Sequence, residues 1–221
     1  MGNAPGAVCR EHDTIIRQLC DIGPEALHAP LRPLLHLDLH GLCEAYGRLA
    51  AKGSRCIAAQ GAERSLGLAP QTARSLMAQR PEVPVTELLV TLVVASHTHA
   101  LTKARFIFQV FDHAGQGRHD FAAFLAAVQA LTHSLCCLSQ ASRSTWPRPV
   151  VIEAAAHELF APGSPSITKE AFVSLVGSQG PVCKMLRRFA RSAVDQHFVL
   201  VPWDRAAEEL VEAEPAHSIF P

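Results

Sequence analysis

The stretch FIFQVFDHAGQGRHDFAAFLAAVQAL, Phe106 to Leu131, decides how the chain is read. Apolar residues fall at helical spacing on both sides of its centre. Phe106, Ile107, Val110 and Phe111 come before; Phe121, Phe124, Leu125, Val128 and Leu131 come after. The polar centre, DHAGQGRHD, opens on Asp112, has Gly117 at its sixth position and Asp120 at its ninth. That is the layout of a helix, a calcium-type loop and a second helix. Most of the oxygen ligands are missing, however. Such a loop closes with a bidentate carboxylate at its twelfth position, and here that position is Ala123, with Ala114 at the third and Gln116 at the fifth. Asp112 and Asp120 are the carboxylates that remain, so Asp112, Gln116 and Asp120 are weak metal candidates and no metal is expected to be held tightly.

Working outward, helical patterns dominate. Leu39, Leu42, Tyr46, Leu49 and Ala50 share one helix face, with Asp38 placed to cap it and Gly53 to stop it. Further helices are expected from Pro70 to Met77, Thr86 to Ser96, Thr102 to Phe111, from Asp120 onward, from Val151 to Phe160 and from Thr168. Between them lie short β-like residues, Ile57, Val83, His119 and Ile167, each flanked by an incoming and an outgoing helix. Four helix–loop–helix units arranged as two pairs follow from that recurrence. SQASRSTWPRP, Ser139 to Pro149, is rich in Ser, Arg and Pro and is expected to be a linker. The expected organisation is an N-terminal segment 1–37, units one to three over 38–131, a linker over 132–150, unit four over 151–176, and a C-terminal helix and tail over 177–221.

These residues carry a resemblance. The chain resembles the EF-hand superfamily, and within it the branch beginning MGN that contains calcineurin B and the neuronal calcium sensors. The third unit carries most of the likeness, through Phe111, Asp112, Gly117, Asp120 and Phe124. In the second unit, VPVTEL puts Glu87 where the family places its bidentate carboxylate, although the opening half of that loop is about three residues short. The first loop, AAKGSRCIAAQG, has the family's length but Lys52 and Arg55 instead of carboxylates. The fourth, APGSPSITKEAF, is about one residue short and has Ala161, Gly163 and Pro165 where the first ligands belong. A weaker likeness, through Phe172, Pro181 and Leu186, is to the EF-like region of TLDc-group proteins.

Composition narrows the classes. Lys+Arg and Asp+Glu each number 20, so the net charge is zero and a nucleic-acid partner is not expected. The seven cysteines are odd in number and form no CxxC pair, which predicts free thiols. No glycine-rich phosphate loop, nucleophile elbow or HExxH pair occurs, so enzyme activity and a cofactor are not expected. No secretory signal is read at the N-terminus. The opening MGNAPGAVC instead offers Gly2 for myristoylation and Cys9 for palmitoylation, two signals of the kind that stable membrane attachment needs. Near the other end, Val182, Met185, Leu186, Phe189 and Ala193 form an apolar stripe opposite a basic face of Lys184, Arg187, Arg188 and Arg191.

The expected fold is all-α: two EF-hand-like pairs and an additional C-terminal amphipathic helix. The expected function is a non-enzymatic, calcium-independent adaptor or regulatory subunit, cytoplasmic or membrane-associated through acylation. It would take an amphipathic helix of a partner protein against Phe106, Val110, Phe121, Phe124, Leu125 and Val128, residues that would equally serve as core. The alternatives are a true calcium sensor with one weak site in the third loop and a purely structural subunit of a larger assembly.

Overall fold

The computed structural model describes residues 29–177, apart from 52, 54, 97, 99, 139–142 and 161–163. Gly2, Cys9, Lys184, Arg187, Arg188 and Arg191, and the whole expected C-terminal helix, lie outside the described residues. What is described is mostly helical, in keeping with an all-α protein.

The chain enters through a 3-10 helix, Ala29–His36, whose Leu31 and Leu34 are buried. Helix α1, Leu39–Ala51, follows. The Asp38 carboxylate caps it, accepting from the backbone N–H of His40 and of Gly41, each at 3.1 Å. Strand β1, Cys56–Ala58, leads directly into α2, Ala59–Leu66. Helix α3, Pro70–Met77, starts on a proline, whose missing N–H costs nothing in a first turn. Strand β2, Glu82–Pro84, and helix α4, Val85–Ala95, complete the first half. The second half repeats the order: α5 (Ala100–Phe111), β3 (Arg118–His119), α6 (Phe121–Leu138), a 3-10 turn (Arg143–Thr145), α7 (Pro149–Leu159), β4 (Ile167–Thr168) and α8 (Lys169–Gly177).

The strands join the loops two by two. β1 and β2 pair antiparallel with Ile57 opposite Val83, and β3 and β4 pair antiparallel with His119 opposite Ile167. All four β-like residues expected from the sequence therefore sit in these ladders. Each is buried, so the ladder and the core are pinned by the same side chains.

Among the described residues, one core runs through all eight helices. Its axis is the packing of α4 on α6, the most extensive helix pair in the fold. Helix α4 is buried on nearly every side, which suits its run of Leu and Val. Polar side chains cross this interface only in bonded form. The Thr91 hydroxyl donates to the Glu87 carbonyl at 2.9 Å and lies 2.9 Å from the Ser134 hydroxyl, and Ser134 donates to the Ala130 carbonyl at 2.6 Å. Among the described residues, α6 is the one helix long and apolar enough to cross a membrane, and most of it is buried in this core.

Two features depart from expectation. Helix α2, implied as the helix leaving Ile57, was given no bounds, because AQGAERSL buries only Ala62 and has a glycine inside it. That glycine is required by packing: a Cβ at Gly61 would lie 2.8 Å from Ile57 Cγ1. The segment read as a linker is also docked where it is described, with half-buried Trp146 packed against the core. A large indole gains from burying its apolar surface even where the chain around it stays irregular.

Candidate functional site

The four loops differ in what they do with charge. In the third, the backbone turns through Gly115 (φ 62°) and Gly117 (φ 65°), left-handed positions that glycine tolerates. Both oxygens of Asp112 are used inside the loop: Oδ1 accepts from Gln116 N–H at 2.9 Å and Oδ2 from Gly117 N–H at 2.7 Å. Asp120 accepts from Ala123 N–H at 2.8 Å and so caps α6. Ala114, Gln116 and Gly117 are exposed. Among the described residues, no group of three or more His, Cys, Asp and Glu side chains stands close enough to hold a metal ion.

The second loop carries the densest electrostatics. After α3 the chain turns through Ala78 (φ 46°) and Gln79 (φ 64°), two consecutive non-glycine residues in the left-handed region. Each costs about 1 kcal/mol or more. The turn delivers Arg80, held by hydrogen bonds from its backbone N–H and its Nε to the Met77 carbonyl at 2.9 and 3.4 Å. From there the Arg80 guanidinium forms an ion pair with the Glu87 carboxylate. The second Glu87 oxygen accepts from His133 Nδ1 at 3.1 Å, across the α4–α6 interface. Burial alone would push the Glu87 carboxyl up. The bonds from His133 and Arg80, and their positive charge, outweigh that and hold it below its ordinary value.

Trp146 closes this cluster from outside. The Arg80 guanidinium lies 5.4 Å from its ring centroid and that of Arg143 lies 5.0 Å away. The His133 ring stands 5.2 Å from the same indole. A buried carboxylate is thus enclosed by a cation, an imidazole and an aromatic lid drawn from three separate parts of the chain. Sequence reasoning found Glu87 but missed Arg80, His133 and Trp146. A signal was present: a lone carboxylate at the head of the apolar run ELLVTLVVA, once buried, needs a partner.

The residues expected to line a partner groove divide by burial. Phe106, Val110, Phe124 and Val128 are core, with 1% exposure or less. In this form they present no groove, because α5, α6 and α8 close over them. Phe121 and Leu125 are half-buried, one turn apart on α6. Phe121 stacks on His157 at 4.1 Å and meets Phe160 edge-on at 5.4 Å.

The remaining chemistry is quiet. Cys43, Cys56, Cys136 and Cys137 stand as thiols, not as disulfides. Burial pushes the Cys136 thiol up to about 11 and that of Cys137 up to about 12, which makes both poor nucleophiles. An open cleft of about 470 Å³ beside α1 and α2 is lined by Arg48, Leu49, Gly61, Arg64 and Ser65. No family model matches this chain, and neither a curated protein nor a solved structure matches it.

Proposed function

We propose that this protein is a non-enzymatic, calcium-independent adaptor or regulatory subunit built from two EF-hand-like pairs. The first pair would be α1–β1–α2 with α3–β2–α4, and the second α5–β3–α6 with α7–β4–α8. Support for the pairing comes from the two antiparallel ladders, which link loop one to loop two and loop three to loop four.

The observation that carries the reading is the Glu87 site. A calcium loop turns its last carboxylate onto the ion. Here Arg80 brings a permanent positive charge to that carboxylate and His133 donates a hydrogen bond to it. The loop's conformation is then set by packing and an internal ion pair, without a metal. Asp112 and Asp120 provide only two carboxylates in loop three, both already bonded to backbone N–H groups.

The partner surface of this reading narrows to Phe121 and Leu125 with His157 and Phe160 beside them, where an amphipathic helix could cover half-buried apolar side chains. Acylation at Gly2, with Cys9 as second signal, would bring the same subunit to a membrane. Calorimetry of the full chain with micromolar calcium tests the reading and is expected to show no site. A dissociation constant tighter than about 10 µM would replace it with a calcium sensor.

A further inference from the structure

We propose that the cleft between α1 and α2 is a phosphate-binding site, in which Arg48 and Arg64 together hold the phosphate monoester of a small molecule or of a lipid headgroup. The site is independent of the calcium and partner-helix readings and uses none of their residues.

The cleft has a volume of about 470 Å³, within the range of small-molecule sites. Helix α1 brings Arg48 and Leu49 to it from its last turn, and α2 brings Gly61, Arg64 and Ser65. The two cations thus come from two packed helices, and among the described residues no carboxylate lines the cleft. Leu49 is buried and supplies the apolar part of the lining. Gly61 brings bare backbone: a Cβ there would stand 2.8 Å from Ile57 Cγ1, so packing keeps the position a glycine.

The sequence carries the same bias. Between Gly47 and Ser65 stand Arg48, Lys52, Arg55 and Arg64 against Glu63 alone, in a chain of zero net charge. Glu63 is half-buried and is not part of the lining. Arg64 is held in place, since its Nε donates to the Gln60 carbonyl at 3.3 Å, and its two terminal nitrogens have no partner among the described residues. Arg48 has an exposed pair with Glu44 at 3.7 Å, and Glu44 also faces His40 at 3.4 Å. Surface pairs of this kind contribute little, so a phosphate can take the Arg48 guanidinium from Glu44.

The donor set selects the ligand. A guanidinium is planar and permanently charged, and its parallel N–H groups match two oxygens of one phosphate. Two guanidinium groups balance a phosphate monoester, whose charge is about −2 at neutral pH. A single carboxylate would balance only one of them. The half-buried Ser65 hydroxyl is a further donor on the α2 side. Leu49 suits the carbon skeleton that bears the phosphate.

The test uses the full chain and two probes. Inorganic phosphate is followed by the Nε–H resonances of the arginines. Vesicles of phosphatidylcholine, with or without phosphatidylinositol bisphosphate, are followed by co-sedimentation. Phosphate is expected to shift Arg48 and Arg64 saturably, relative to chloride at equal ionic strength, and to leave Arg74 in place. Arg74 is the internal control: it is exposed on α3 and its Nε donates to the Pro70 carbonyl at 3.2 Å, as that of Arg64 does to Gln60, but it lies outside the cleft. The double variant Arg48→Gln, Arg64→Gln is expected to weaken phosphate binding about tenfold or more, the usual effect of losing charge-assisted hydrogen bonds, and Arg74→Gln to leave it unchanged. Sedimentation with the inositide vesicles but not the plain ones, lost in the double variant, assigns the phosphate to a lipid headgroup. Phosphate binding without such sedimentation assigns it to a soluble ester. The proposal is overturned if neither probe gives a response that depends on Arg48 and Arg64, or if Arg74→Gln weakens binding as much as the double variant does. Should the double variant fail to fold, Arg64→Gln alone is compared with Arg74→Gln in the same way.

Discussion

His133 Nδ1 and Glu87 Oε2 lie 3.1 Å apart although 46 residues separate them in the chain. That bond ties α6 to α4 at the point where Arg80 also reaches the same carboxylate. Beside the Thr91–Ser134 contact, α4 and α6 are therefore also joined through one acidic side chain, and the strength of that junction can be measured.

Arg80→Met removes one partner of a buried carboxylate whose side chain is only 8% exposed. A loss of about 3 kcal/mol is expected, because the remaining charge is left under-compensated. The double variant Arg80→Met, Glu87→Met removes the stranded charge as well and is expected to recover part of that loss. Urea unfolding midpoints of both variants check this; a double variant no better than the single would mean that Glu87 does not lean on Arg80.

Glu87 also sets an acid limb. Its folded-state carboxyl is held below the ordinary value, so its contribution to stability is present above about 4.3 and is lost as pH falls through the folded value. Glu87→Gln is expected to flatten the fall in stability below about pH 4.3. Melting temperatures of the two proteins across that range provide the comparison.

Thiol reactivity should divide along burial. Cys56 is exposed on β1, whereas Cys136 and Cys137 are buried at the end of α6, with thiols pushed up to about 11 and about 12. Brief alkylation with iodoacetamide at about pH 7.5 is expected to modify Cys56 and spare the α6 pair, since only the thiolate attacks. Peptide masses after digestion read the result, and early labelling of Cys136 or Cys137 would mean that the end of α6 opens readily.

The α6 stripe should split in the same way. Phe124→Ala and Val128→Ala empty fully buried positions; the phenylalanine is expected to cost about 3–5 kcal/mol. Leu125→Ala and Phe121→Ala, at half-buried positions, are expected to cost less and to weaken capture of a partner helix. Melting curves run beside pull-downs for the four variants separate core from contact surface. If Leu125 and Phe121 variants bind as the parent does, the proposed surface on α6 is wrong.

Much of the helical layout could be read from spacing, and so could the four strand positions. Ile57, Val83, His119 and Ile167 are each a single residue in a short stretch between two helical patterns, a placement local enough to be visible in the chain. Asp38 was legible as a cap for the same reason. What could not be read is non-local. Nothing near Glu87 in sequence announces His133 or Trp146, because the fold brings them together across the α4–α6 packing. Whether Phe106 and Val110 face a groove or a core was equally closed to sequence, since one stripe serves both purposes until a neighbouring helix is placed on it. The 3-10 helix at Ala29–His36 lies in the stretch given only as an N-terminal segment, where two prolines within four residues interrupt any regular helical spacing.

The all-round burial of α4 has a consequence for how the molecule opens. Its backbone amides are covered by α6 and by elements of both helix–loop–helix pairs, so no partial opening of one pair exposes them. Those amides are expected to exchange with solvent deuterium only through global unfolding, while the exposed loop around Gly115 exchanges quickly. A chain organised about such a shared spine denatures in one concerted step, and neither half would survive proteolytic separation from the other as an independently folded fragment.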